Sequence, residues 1–196
     1  NTLATIMEVI EREPKTAGML IEALATEVRI LSRVSGEKLI PLAQEIELCR
    51  AHLRVMSLRK GAQCALEVSG ADEAALVPPA LLHTLIENGL THLLPRGGRQ
   101  DFELRIERRP GTTRYSLVAR GARLGGDAVA AGHEGTGLRY IKARLEESFT
   151  GRWSVVGGPV PEGWETVIEI EAASVLGRSD SKVRPGAVAV PGELPA

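Results

Sequence analysis

The pattern of apolar and polar positions divides the chain into a helical first part and a mixed second part. After Pro14, and again after Pro41, apolar residues recur at offsets of three and four, which predicts two amphipathic helices. The first apolar series consists of Leu20, Leu24, Val28 and Leu31. The second consists of Leu42, Ile46, Cys49, Leu53 and Met56.

Two helices with one apolar stripe each cannot bury all of that surface against one another. We therefore expect residues 1–60 to form a helical unit that packs against a second copy of the chain as well as against the rest of its own chain. The alternative is that both stripes pack internally, on a sheet of the same chain.

After Gly61 the pattern predicts a strand, a helix, a β-hairpin, a glycine-rich loop, a second helix and a second antiparallel pair. The hairpin strands are ‘DFELRIERR’ and ‘TRYSLVAR’. This order predicts an α+β protein in which residues 61–173 form an α/β sandwich, with a mixed sheet and the helices on one face. Residues 174–196 are rich in Pro, Gly, Ser and charge, and we interpret them as a tail or linker.

Composition narrows the classes of function. The net charge is -1, from 24 basic and 25 acidic residues, and aromatic residues make up 3% of the chain, so nucleic-acid binding is not expected. Cys49 and Cys64 are too few for a disulfide framework or a zinc site and are interpreted as buried thiols. No signal peptide and no apolar run of the ~20 residues that span a bilayer is present, which predicts a cytoplasmic segment.

Three polar residues interrupt the predicted helix ‘LLHTLIENGLTHLL’. Its apolar side is formed by Leu81, Leu82, Leu85 and Ile86. The Asn88 oxygen is a possible magnesium ligand, Glu87 could polarise an attacking group, and His92 follows Asn88 by four residues on the same side of the helix. For each residue alone, a helix-end or surface role is the alternative.

The stretch ‘GHEGTGLRY’ runs from glycines into a helix that starts at about Gly137. Glycine permits close approach of the backbone to a phosphate, and the helix start offers free N–H groups. The alternative is a flexible loop with an ordinary helix cap.

Together, ‘VPPALLHTLIENGLTH’ and ‘GTGLRYIKARL’ resemble the N box and the glycine box of sensor histidine kinases of the LytS type. Upstream, ‘LIEALATEVRIL’ and ‘IPLAQEIELCRAHLRVMSLRKG’ resemble the dimerisation helices and connecting segment of that family, so the resemblance covers Asn1 to about Ala172. It implies a GHKL, or Bergerat, ATP-binding fold. The acceptor histidine of the family stands in a motif that ends in Phe-Asn. Asn1 corresponds to the end of that motif, so we expect the acceptor just before residue 1.

The resemblance implies ATP and magnesium as cofactors, with Asn88 as the magnesium ligand and Glu87 as the residue that orients or deprotonates the attacking histidine. The other nucleotide-binding positions that it implies are His92, Gly121, Gly135, Thr136, Gly137, Leu138 and Thr166. The implied partners are a second copy of the chain and a response regulator, and a membrane contact would come only through an upstream region.

Three positions depart from the family pattern. Ala119 stands where the family has the aspartate that accepts the adenine amine, Thr91 stands where a basic residue is common, and Glu165 stands where a glycine is usual. An amine buried without its acceptor costs about 1–3 kcal/mol, roughly one to two powers of ten in affinity. An acid at Glu165 is expected to repel the phosphates, whereas Asp127 or Glu134 could replace the missing carboxylate.

Two functions therefore remain. The chain is either the catalytic part of a histidine kinase with weakened nucleotide binding, or a degenerate dimeric module that contacts a response regulator without nucleotide turnover. The three departures favour the second function for the molecule itself. A gyrase-like ATPase is disfavoured because the helices before the ATP-binding unit resemble those of two-component kinases.

Overall fold

The computed structural model describes residues 13–70, 75–94, 98–123 and 135–171. Within these ranges the helices are α1 (Pro14–Val34), α2 (Leu42–Lys60), α3 (Leu81–His92) and α4 (Thr136–Phe149). The strands are β1 (Ile40–Pro41), β2 (Gln63–Ser69), β3 (Leu76–Val77), β4 (Leu93–Leu94), β5 (Arg99–Arg109), β6 (Thr112–Arg120), β7 (Ala122–Arg123), β8 (Trp153–Val160) and β9 (Gly163–Glu171). None of the described helices is long and apolar enough to cross a membrane. The predictions for Asn1, Asp127, Glu134 and the tail from residue 174 lie outside the described residues.

The main sheet has five strands in the order β2-β5-β6-β9-β8. β2 pairs with β5 in parallel, and the other three pairs are antiparallel. The predicted hairpin is β5–β6, and the predicted second antiparallel pair is β8–β9. The α+β fold class and the mixed sheet are therefore confirmed.

The helices cover one face of this sheet. Successive side chains of a strand point to opposite faces, and on β5 it is Phe102, Leu104 and Ile106 that are buried. Their partners on β6 (Ala119, Leu117 and Tyr115) are buried as well. The other face is polar, with an ion pair between Arg114 and Glu169.

α2 packs into the core of the sheet. All five residues of its predicted apolar stripe are buried in the same cluster as residues of α3, α4 and the sheet. The opposite side of α2 is also covered, because Val55 packs with Leu20 and Ala23 of α1. For α2, internal packing is therefore what the structure shows.

The buried side of α1 differs from the predicted stripe. It consists of Ala17, Leu20, Ala23, Glu27, Ile30 and Val34. Val28 is 52% exposed, and Leu24 and Leu31 are half-buried. The prediction followed the larger side chains, whereas the buried side includes the small residues Ala17 and Ala23, and Ala23 packs with Val55 of α2.

The two thiols differ in burial. Cys49 is buried in the core, as predicted, whereas Cys64 is only half-buried because β2 is an edge strand of the sheet. Burial raises the pKa of both thiols, which keeps them protonated at neutral pH.

Candidate functional site

The N-terminus of α3 is held by a buried carboxylate from α2. Glu45 is fully buried, and its two oxygens accept hydrogen bonds from the backbone N–H groups of Ala80 (2.8 Å), Leu82 (2.8 Å) and His83 (3.0 Å). Burial raises the pKa of Glu45, and the backbone hydrogen bonds only partly offset this effect. A carboxylate from another helix thus satisfies N–H groups that a helix leaves unpaired at its start.

The other end of α3 is held by the last residue of α2. The ammonium group of Lys60 donates a hydrogen bond of 2.8 Å to the backbone carbonyl of Leu90. An acid at the start and a base at the end match the dipole of α3. The helix that carries Glu87 and Asn88 is therefore fastened at both ends to α2.

Asn88 and Gly137 are in direct contact, although 49 positions separate them in the chain. A Cβ atom on Gly137 would lie 2.7 Å from Oδ1 and 2.8 Å from Nδ2 of Asn88, distances that real Cβ contacts do not reach. The glycine at the start of α4 thus leaves room for the carboxamide where it lies, and any side chain there would require the carboxamide to move. The two predicted boxes thus meet at one place, where α3 packs against α4.

Gly89 makes the next close approach, on the side of α3 that faces the sheet. A Cβ atom on Gly89 would lie 2.6 Å from the Phe102 ring and 3.0 Å from the Cβ atom of Ala119. Ala119 is 5% exposed and pairs with Phe102 on β5 and Trp164 on β9. Ala119, the position predicted to correspond to the adenine-recognising aspartate, therefore lies directly beneath Gly89, which follows Asn88 on α3.

The other predicted site residues of α3 and α4 are more open. Glu87 is exposed, and Gly135 and Thr136 are exposed at the start of α4. Leu138 is half-buried in the first turn of that helix. His92 is the last residue of α3, but its side chain is outside the described part of the structure.

The two predicted site residues on the sheet are less accessible. The buried Gly121 donates its N–H to the carbonyl of Glu162 at 2.9 Å, just after β6. Thr166 is 9% exposed and pairs with Leu117 of β6, on the face covered by helices. It therefore presents little surface to a ligand.

The expectation that Glu165 repels phosphates is wrong. Its carboxylate accepts a hydrogen bond of 2.6 Å from the Ser116 hydroxyl. Because strand neighbours alternate in direction, Glu165 lies on the polar face of the sheet, opposite Thr166. Thr91 is exposed, and its hydroxyl donates to the backbone carbonyl of Glu87 at 2.8 Å.

Sequence reasoning missed the residues that support α3. Glu45 lies between Leu42 and Ile46 on the buried side of α2, and Glu27 lies between Ala23 and Ile30 on the buried side of α1. The available signal was a carboxylate at a position where the apolar period calls for a hydrophobic residue, since a buried charge needs partners. Lys60 had no such signal, because it follows the apolar series.

The described residues fit one end of a magnesium nucleotide and not the other. The Asn88 carboxamide beside a helix start can supply an oxygen ligand to the metal, and the start of α4 can supply N–H groups to phosphate. Ala119, at the position predicted for an adenine acceptor, is a buried methyl group that accepts no hydrogen bond. The site can therefore hold charge at its phosphate end, but Ala119 offers adenine no acceptor.

Comparisons with known proteins agree with this fold. Residues 1–64 match the family model described as histidine kinase. A histidine kinase domain from the blue-light-activated histidine kinase of Erythrobacter litoralis superposes with a TM-score of 0.51 at 15% identity, over 84% of this chain and 80% of that domain. The histidine kinase AdeS of Acinetobacter baumannii superposes with a TM-score of 0.50 at 14% identity, over 84% of each chain. No curated protein matches the sequence significantly.

The two kinds of match support each other. The family match covers the first helical part, and the structural likeness extends over the sheet and its helices. At such low identity the structural likeness shows the fold alone, and the match to the family model is confined to residues 1–64. Residues 1–64 therefore match the histidine kinase family model, and the chain has the fold of solved histidine kinase structures.

Proposed function

We propose that this chain is the kinase core of a two-component sensor histidine kinase of the LytS type, with weakened binding of magnesium ATP. The observation that carries the proposal is the contact between Asn88 and Gly137. It brings an oxygen ligand for the metal together with a helix start that suits phosphate. The proposed reaction is phosphorylation of a histidine, followed by transfer of the phosphoryl group to a response regulator.

In this proposal the residues of α3 and α4 have separate roles. Asn88 holds the magnesium ion, and Glu87, next to it and exposed, orients or deprotonates the attacking histidine. Gly135, Gly137 and Leu138, together with Thr136, line the triphosphate at the start of α4. Phosphoryl transfer depends mainly on such positioning and charge neutralisation, so few reactive groups are needed. His92, Gly121 and Thr166 complete the proposed nucleotide site as supporting positions.

Ala119 is the reason for proposing weak binding. The missing acceptor reduces affinity by roughly one to two powers of ten. Because Glu165 lies on the opposite face of the sheet, it adds no repulsion to this loss. The departures near the nucleotide are thereby reduced from three to two, which favours a weakened kinase over an inactive one.

The second candidate is a dimeric module that signals to a response regulator without binding ATP. The burial of Ala119 and Thr166, which are 5% and 9% exposed, is the observation that favours it. A nucleotide site requires open surface at its base end, and these two side chains offer little.

Calorimetric titration distinguishes the weakened kinase from the module that does not bind ATP. The chain is titrated with ADP and with a non-hydrolysable ATP analogue, each with and without magnesium. We expect binding in the range of about 10 μM to 1 mM that depends on magnesium and is lost in Asn88→Ala. Glu165→Gln is the matched control, since its side chain lies on the far face of the sheet. Absence of binding up to millimolar nucleotide would support the module without nucleotide, and binding that Asn88→Ala leaves unchanged would remove the basis of the proposed site.

A further inference from the structure

Three metal-ligating side chains from three different helices meet away from the proposed nucleotide site. Glu27 of α1 accepts hydrogen bonds at Oε1 from Nδ1 of His52 on α2 (2.8 Å) and from Nε2 of His83 on α3 (3.4 Å). The imidazole rings are 4.5 Å apart between centroids and meet edge to face at 63°. All three ligand atoms lie within 4.8 Å of one another.

We propose that Glu27, His52 and His83 bind a divalent transition-metal cation of the Zn²⁺ type. One carboxylate and two imidazoles form a ligand set that such ions take in proteins, with the fourth position left to water. The side chains are only 10% and 12% exposed, so a cation would be largely enclosed yet reachable from solvent. The site is separate from the proposed magnesium site at Asn88.

The Glu27 carboxyl group carries the negative charge that a cation requires. Burial alone would raise the pKa of Glu27, but the hydrogen bonds from His52 and His83 and the charges of those residues outweigh it and lower the pKa to about 2. The carboxylate is therefore ionised at neutral pH without help from a metal. The carboxylate can therefore coordinate without losing a proton, whereas the imidazole nitrogens that donate to Glu27 bind the cation only after their protons are released or moved to the other ring nitrogen.

The spacing of the ligand atoms can be compared with that of a tetrahedral site. Bonds of about 2.0–2.1 Å at tetrahedral angles place ligand atoms about 3.3 Å apart. The distance from Glu27 to His83 is already close to this at 3.4 Å, and that to His52 must lengthen from 2.8 Å. With no ligand pair separated by more than 4.8 Å, small rotations of the side chains assemble the site.

The second ring nitrogen of His52 limits the affinity that we expect for the cation. Nε2 of His52 is buried and has no hydrogen-bond partner among the described residues. When Nδ1 binds the metal, the ring proton must move to Nε2, where a second-shell acceptor normally receives it. Because a missing second-shell partner costs about 10–100-fold in affinity, we expect binding near micromolar rather than nanomolar.

The position of the cluster gives the cation a structural effect. His83 precedes Glu87 by one helical turn on α3, and Glu27 belongs to α1. A bound cation therefore fastens α1 directly to the helix that carries Glu87 and Asn88. Coordination bonds would replace hydrogen bonds at this junction and stiffen it.

The test is a titration of the metal-free chain with Zn²⁺, followed calorimetrically, and with Co²⁺, followed by visible absorption. We expect one ion per chain and a Co²⁺ spectrum typical of a tetrahedral site with nitrogen and oxygen ligands. Removing a ligand costs more than removing a second-shell partner, so His83→Gln and Glu27→Gln should weaken Zn²⁺ binding at least about 100-fold. Glu22→Gln, at an exposed position on the same helix as Glu27, is the matched control, and its Zn²⁺ affinity should equal that of the parent chain.

The melting temperature of each metal-free variant, measured alongside, separates loss of a ligand from loss of the fold. The proposal is overturned if Zn²⁺ binds no tighter than millimolar or if His83→Gln and Glu27→Gln bind it as the parent does. It is also overturned if the Co²⁺ spectrum of the parent chain is that of an octahedral ion, a result that does not depend on any variant folding.

Discussion

A single carboxamide, that of Asn88, sits in a space that exists only because residue 137 has no side chain. Packing of this kind connects two distant segments at the level of individual atoms. Gly89 makes a similar approach to Phe102 and Ala119 on the sheet side. The glycine on α4 therefore allows α4 to approach Asn88, and the glycine on α3 allows α3 to approach the sheet.

Gly137→Ala tests that contact. The added methyl group would lie 2.7 Å from the Asn88 oxygen, so the carboxamide must shift and the metal ligand is misplaced. We expect affinity for the magnesium complex of the ATP analogue to fall at least about tenfold, measured by calorimetry. Gly18→Ala, on α1 and outside the proposed site, is the control, because its Cβ would meet nothing within 4 Å. Equal loss in both variants would mean that chain flexibility, and not the contact, matters.

Ala119→Asp tests the base end of the site. An aspartate there regains the acceptor for the adenine amine, so we expect ATP analogue affinity to rise about tenfold while GTP analogue affinity does not rise. Ala119→Asn, of similar size but uncharged, controls for the added volume beneath Gly89. A gain that is equal for both nucleotides would argue against adenine recognition at this position.

At the scale of elements, α2 is the helix that contacts α1, α3 and the sheet. It buries one side against α3 and the sheet and another against α1. It also supplies Glu45 and Lys60 to the two ends of α3. The orientation of the helix that carries the proposed catalytic residue therefore depends on polar contacts from a neighbouring helix as well as on apolar packing.

Glu45→Gln tests whether the Glu45 carboxylate stabilises the N-terminus of α3. The amide keeps the shape of the side chain, but it replaces one acceptor oxygen with a donor that faces backbone N–H groups. We expect the free energy of unfolding to fall by about 2 kcal/mol, measured by urea denaturation. Glu47→Gln, at an exposed position on the same helix, should change it by less than about 0.5 kcal/mol. A similar small change for Glu45→Gln would mean that the carboxylate is not needed as a cap.

At the scale of the whole molecule, α1 carries apolar surface that its own chain leaves uncovered among the described residues. Ile21 and Val28 are 49% and 52% exposed, and Leu24 and Leu31 beside them are half-buried. These four residues follow offsets of three, four and three, the spacing of a helix that packs against another helix. We propose that this flank is the contact with a second copy of the chain.

Val28→Lys tests the proposed dimer. A charge in the middle of this flank should raise the dimer dissociation constant at least about tenfold, measured by analytical ultracentrifugation. Met19→Lys is the matched control, because Met19 is 46% exposed on the same helix but lies two positions before Ile21, about 160° around the axis. Equal weakening by both variants would place the interface elsewhere on α1, and no change in either would exclude this flank.

Periodicity alone predicted the four described helices, the two hairpins and the apolar side of α2. It succeeded because a strand of period two and a helix of period 3.6 must each turn one side toward a core. It failed on α1, where the two alanines of the buried side carry too little apolar surface to stand out against leucine and valine. The resemblance to the kinase motifs named Asn88 and Gly137 as parts of one site, and their contact is the feature that the structure adds.

The order of elements, the two stretches that resemble the kinase boxes and the alanine at position 119 are properties of the sequence itself, because they depend on residue type and on spacing along the chain. Tertiary structure decided which carboxylate caps α3, that Ser116 donates to Glu165, and that Glu27 meets His52 and His83. Those outcomes depend on distances between segments that are far apart in the chain. The local pattern carries no information about such distances. They are set by how closely the helices pack against one another and against the sheet.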